Sequence, residues 1–132
     1  MGMKYSDLVH EHFAAPRNLG EIEDPDGVGD VENPVCGDRT LLTIRVRDER
    51  IAEARFRAVG CPAAIAASSV ATELLVGRSL EEALRLTNED VSEALGGLPA
   101  NKLHCSVLAE DVVRAAVADC RQRTRAAAGV RQ

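Results

Sequence analysis

From Thr40 to Val59 the chain alternates apolar and polar residues twice, and this pattern constrains the fold more than any other feature. In the first run Leu42, Ile44 and Val46 share one face, with Thr43, Arg45 and Arg47 on the other. A period of two belongs to a strand, whose successive side chains point to opposite faces. The second run, Ile51 to Val59, sets Ala52, Ala54, Phe56 and Ala58 against Glu53, Arg55 and Arg57. Asp48-Glu49-Arg50 is a short polar link, so the two runs are expected to pair as an antiparallel hairpin.

The rest reads mainly as helix. Tyr5 to Phe13 places Leu8, Val9 and Phe13 on one side, and a short strand is expected near Val28 to Val31. Pro62 to Val76 has proline at its first position and Gly77 just past its end, as helices favour. Ser79-Leu80-Glu81-Glu82 is a capping box, and Thr87-Asn88-Glu89-Asp90 opens a further helix. The last helix is expected from about His104 to Arg125, with Leu108, Val112, Ala115 and Ala116 inward and Glu110 paired to Arg114. A chain of 132 residues suits one domain, 1–132, with 126–132 as a flexible tail.

Charge and composition exclude several functions. The net charge of −5 repels phosphate backbones, and Tyr5, Phe13 and Phe56 are too few aromatics for base stacking, so no nucleic acid is expected. The longest apolar run, Ala63 to Ala67, is too short for a bilayer, and charges in the first dozen residues argue against a signal peptide. A cytoplasmic protein with no membrane partner is the expectation. Thiols stay reduced in that compartment, which makes metal or thiol chemistry a better reading of four cysteines than two disulfides.

Three of those cysteines are expected to converge. Cys36 lies just before the first strand of the hairpin and Cys61 just after the second, so pairing brings both to one end of the ribbon. Cys61 lies at the N-cap of a helix, and Cys105 opens the final one after His104. A helix N-terminus favours negative charge by about 0.3–1 kcal/mol, less than one pKa unit, so a metal or cation must supply the rest of the thiolate bias. Cys120, 15 residues beyond Cys105 on the same helix, is about 22 Å away along the axis and reads as core filler. Three thiolates leave one tetrahedral position, for which Asp38 offers an oxygen and His104 a nitrogen. Zinc and a [2Fe–2S] cluster both suit such a shell, and the chemistry alone does not choose.

Asn33-Pro34-x-Cys36-Gly37-Asp38, Gly60-Cys61-x-x-x-Ile65-Ala66-x-Ser68-Ser69 and Lys102-x-His104-Cys105-Ser106-x-Leu108-Ala109 together resemble the IscU/NifU family of iron–sulfur cluster assembly scaffolds. Pro16-Arg17-Asn18-Leu19-Gly20 resembles it too, so the likeness covers nearly the whole chain. The resemblance implies an α+β fold, a three-stranded antiparallel sheet packed with about five helices. It also implies a [2Fe–2S] cluster held by Cys36, Cys61 and Cys105, with Asp38 and His104 as candidate further ligands and zinc in the cluster-free protein. Cys105 would be the main sulfur acceptor and Lys102 its electrostatic neighbour. The implied role is that of a scaffold and carrier, not an enzyme. Its implied partners are a cysteine desulfurase, an electron donor such as a ferredoxin, and acceptor apoproteins.

No further cluster-carrying domain of full-length NifU follows, so the stand-alone IscU type is expected; monomer and homodimer stay open. Leu98-Pro99-Ala100-Asn101-Lys102 replaces the Leu-Pro-Pro-Val-Lys segment by which some members dock a chaperone, so chaperone docking does not carry over. Two other readings compete. In a zinc-dependent SufU-type sulfurtransferase an insertion would lie between the second and third cysteines, and the His before the third would be missing; here the two are 44 positions apart and His104 is present. In a structural zinc module the metal would carry the fold, and removing it would unfold the chain.

Overall fold

The computed structural model describes residues 5–34 and 37–129, and the hairpin stands at its centre. β2 (Arg39–Arg47) and β3 (Arg50–Val59) pair antiparallel, from Arg39 opposite Val59 to Arg47 opposite Arg50. Asp48 and Glu49 reverse the chain at φ 53° and 66°, left-handed dihedrals whose twist suits the strands they join. β1 (Gly27–Glu32) pairs antiparallel with β2, giving a sheet of order β1-β2-β3. Strict alternation fails at one point. Arg45 pairs with Glu53 and Val46 with Ile51, so Ala52 is an extra residue in β3. This bulge turns Ala52 out to solvent and buries Ile51 in its place, correcting the face expected for Ala52.

The helices are α1 (Asp7–Ala14), α2 (Pro62–Leu75), α3 (Leu80–Leu84), α4 (Asn88–Ala94) and α5 (Leu103–Gly129), with a 3₁₀ turn at Ala100–Lys102. The class is the expected α+β. Both capping boxes form: Ser79 and Glu82 close on one another at α3, Thr87 and Asp90 at α4. α5 stays helical four residues beyond its expected end, through part of the segment read as a tail; residues 130–132 lie outside the described part. Among the described residues no helix is long and apolar enough to cross a membrane.

α1 corrects a second expectation. Its inward residues are Val9 and His12, whereas Leu8 and Phe13 are 42% and 43% exposed. A polar network turns that face inward. His12 Nδ1 lies 2.8 Å from Ser69 Oγ on α2, and that oxygen also accepts the Arg17 backbone N–H over 2.8 Å. Asn18 Nδ2 donates to Thr72 Oγ1, while the Asn18 carbonyl and the Gly20 N–H bond to the two backbone groups of Phe56. The Pro16–Gly20 motif therefore ties the N-terminal segment to both α2 and β3.

Burial, reinforced by Arg17, holds the His12 imidazole below its ordinary pKa of 6.5, against the pull of Glu73 and Glu11. Between that lowered value and 6.5 the unfolded chain binds more protons than the folded one, so stability falls as pH drops through 6.5. Urea midpoints measured from pH 7.5 to 5.5 should show this fall, and His12→Asn should flatten it.

β1 reaches α5 through two glycines. A Cβ on Gly29 would lie 2.4 Å from the Val112 carbonyl oxygen and 2.8 Å from the Ala116 nitrogen, and one on Gly27 would lie 2.5 Å from the Ala116 carbonyl oxygen. The close approach is locked by Asp119, whose Oδ2 accepts the Val28 N–H over 2.8 Å. Backbone cannot yield as a side chain does, so Gly29→Ala is expected to cost about 1–3 kcal/mol, read as a lowered melting temperature.

Candidate metal centre

The register of the hairpin builds the centre from its open end. Arg39 pairs with Val59, so Asp38 and Gly60, one step further out, meet across the ribbon. Asn33 N donates to the Asp38 carbonyl and Gly37 N to the Asn33 carbonyl, each over 2.7 Å. After Gly60 the chain enters α2 with Cys61 as its N-cap residue and Pro62 at the first helical position. The Ser68 and Thr40 hydroxyls, 3.0 Å apart, tie α2 to β2. α5 brings Cys105, its third residue, against Ala63 and Ala64 in a small buried cluster with Tyr5, Cys61 and Leu98 packed around it.

Asp38, Cys61 and Cys105 each offer a donor atom within 4.8 Å of the other two. The sulfurs of Cys61 and Cys105 are 3.6 Å apart, and each thiol donates to Asp38 Oδ2 over 3.9 Å. A tetrahedral ion with metal–sulfur bonds of about 2.3 Å and metal–oxygen bonds of about 2.0 Å separates its donors by about 3.5–3.8 Å. The triangle thus has nearly the edge lengths of such an ion's coordination shell before any ion arrives. Its donors, two soft sulfurs and one hard oxygen, suit zinc or iron better than a calcium-like cation.

Access and charge differ between the two thiols. Cys61 is partly exposed, while Cys105 is 1% exposed. Burial, then the neighbouring Cys61 and Asp38, push the Cys105 thiol far above its ordinary pKa, with Lys102 opposing. The Lys102 ammonium is held above its ordinary range chiefly by Cys61, with further help from Tyr5 and Cys105. A bound cation would oppose the penalty on Cys105, because it sets a positive charge among the three donors.

Of the residues singled out in the sequence, Asp38, Cys61 and Cys105 are brought together, with Lys102 in their field. Cys36 lies outside the described residues. His104 precedes Cys105 but is not among the three grouped donors. Cys120 is buried in the main core. Two further residues, to which the sequence assigned no role of their own at the site, adjoin it. Tyr5 packs on the cluster, and its phenol is raised above its ordinary pKa by burial and then by Cys61. Gly60 faces the Asp38 carboxylate. Nothing local to Tyr5 could have announced this, while Gly60 carried a signal only in its place beside Cys61.

Known proteins agree with this architecture. IscU 1 of Archaeoglobus fulgidus, named an iron–sulfur cluster assembly scaffold protein, is 56% identical over 115 residues, 87% of this chain and 75% of its own. IscU of Escherichia coli K12, with the same description, is 47% identical over 128 residues, 94% of this chain and 99% of its own. Among solved structures, FiSufU of the thermophile Fervidobacterium Islandicum AW-1 superposes with a TM-score of 0.70 at 20% identity, covering 86% of this chain and 96% of that one; at that identity it speaks for the fold alone. The model of the NifU-like N-terminal domain family matches residues 4–127, and the chain belongs to that family.

Proposed function

We infer that this chain is an IscU-type scaffold on which an iron–sulfur cluster is assembled and then passed to acceptor proteins. The observation that carries the reading is the triangle of Asp38, Cys61 and Cys105, already spaced to ligate at the meeting point of two helix starts and a strand end. That its relatives are named iron–sulfur cluster assembly scaffolds supports the same role here.

Cys105 is the sulfur acceptor in this reading. A cysteine desulfurase delivers a persulfide sulfur to it, and the 1% exposure of the thiol requires the segment just before α5 to open first. The persulfide's outer sulfur is zero-valent, so two electrons from a ferredoxin-like donor convert it to sulfide and return Cys105 as a thiolate. Lys102 stabilises the negative charge that accumulates among the sulfurs. Iron, the other part of the cargo, is held by Cys36, Cys61 and Cys105, with Asp38 and His104 as candidates for the remaining donor of a [2Fe–2S] cluster, and the placement of Asp38 beside two of the thiols supports Asp38. The near-tetrahedral triangle supports zinc as the occupant of the cluster-free protein. Val59 is 72% exposed at the end of β3, and Leu103 and Val107 are 44% and 40% exposed on the first turns of α5. Exposed apolar residues close in sequence to Cys61 and Cys105 support docking of partner proteins there. The role is that of a carrier in a reducing cytoplasm, not an enzyme.

Anaerobic reconstitution with iron, cysteine and a desulfurase tests the reading. Iron and acid-labile sulfide in comparable amounts, with visible absorption, are the expected result. Zinc alone, with sulfur accepted but no cluster built, would instead favour the SufU-type sulfurtransferase.

A further inference from the structure

We propose that Gly60 is a positioning residue that sets the approach of Asp38 to the two thiols, so that the side-chain volume at this position governs which donors an incoming metal meets. The inference rests on the scaffold reading of the site and extends it to a residue outside the ligand set. A Cβ at position 60 would stand 2.6 Å from Asp38 Oδ1, 2.8 Å from Asp38 Cγ and 3.2 Å from the Ala64 Cβ. Gly60 therefore leaves the gap the carboxylate occupies, and Ala64, on the first turn of α2, bounds it on the far side.

The reason is not conformational. Gly20, Gly37, Gly77, Gly96 and Gly97 all sit at positive φ, where a side chain is strained, and Gly60 is not among them. A positive φ is therefore not what keeps a side chain out of this position, and the only contacts under 3.0 Å that a Cβ there would make fall on the end of the short Asp38 side chain. The chain can fold around the added methyl by rotating the Asp38 carboxylate off its present bearing on the sulfurs. Asp38 is 6% exposed, so a displaced carboxylate has little room to find the same bearing again.

The test compares wild type, Gly60→Ala, Asp38→Ala and the double variant. Metal-free melting temperatures should be the same for wild type and Gly60→Ala, showing that the fold is untouched. Anaerobic titration with Co(II), read by visible absorption, should give Gly60→Ala the band pattern of Asp38→Ala and not that of wild type. Release of a reconstituted cluster to an apo-ferredoxin should slow about tenfold in Gly60→Ala, within the range typical of groups that support a ligand, and the double variant should be no slower than Asp38→Ala alone. A wild-type spectrum and wild-type release in Gly60→Ala overturn the proposal, as do effects of the two substitutions that multiply. A wild-type chain that binds no Co(II) overturns the metal-site reading and this proposal together, which separates the two failures.

Discussion

Replacing Cys105 with serine should leave a folded protein that retains less than about a hundredth of the wild-type iron and sulfide after reconstitution. Serine has nearly the shape of cysteine, so the packing against Ala63 and Ala64 survives. Its hydroxyl is not ionised near neutral pH, and iron or zinc gains far less from it than from a thiolate. Loss of groups that merely support a ligand already costs about 10–100-fold, and loss of the ligand itself should exceed that. The same substitution should remove the persulfide that mass spectrometry detects after one turnover of the desulfurase. Iron, sulfide and absorption at wild-type levels would take Cys105 out of the mechanism.

The second large effect is expected at Asp38, in the opposite sense. Asp38→Ala should give a longer-lived cluster that passes to an apo-ferredoxin about tenfold more slowly, equivalent to about 1.4 kcal/mol on the transfer barrier. A carboxylate oxygen is a hard ligand between two soft ones, 3.9 Å from each sulfur, and is the donor most readily exchanged for an acceptor's thiolate. A storage site benefits from four sulfurs, whereas a donor benefits from one ligand that lets go. Kinetics followed by the acceptor's own visible spectrum would show the difference, and an unchanged rate would remove Asp38 from the release step.

Both effects depend on a site whose legibility was uneven. The meeting of the start of β2 with the chain after β3 was readable because strand pairing is a local rule: two alternating runs and a short link bring their outer ends together. The capping boxes at Ser79 and Thr87 were readable for the same reason, since three residues suffice to close them. The inward face of α1 was not. Leu8 and Phe13 are more hydrophobic than His12, but His12 found a buried hydroxyl on Ser69, 57 positions away, and Val9 took the apolar contact. The bulge at Ala52 escaped as well, because one extra residue leaves the alternation around it intact and shows only in the pairing.

The sequence by itself determined the ribbon, the helix starts and the chemical nature of the donors, since each rests on neighbours a few residues apart. Tertiary structure alone decided that the Cys105 sulfur stands 3.6 Å from that of Cys61, 44 positions earlier. That distance depends on how the start of α5 packs on α2, with Cys105 seated against Ala63 and Ala64. It also decided how closely Asp38, a donor already named from the sequence, approaches both sulfurs, through a gap left by a missing methyl at Gly60. Packing at this scale depends on volumes and contacts between segments far apart in the chain, which no periodicity records.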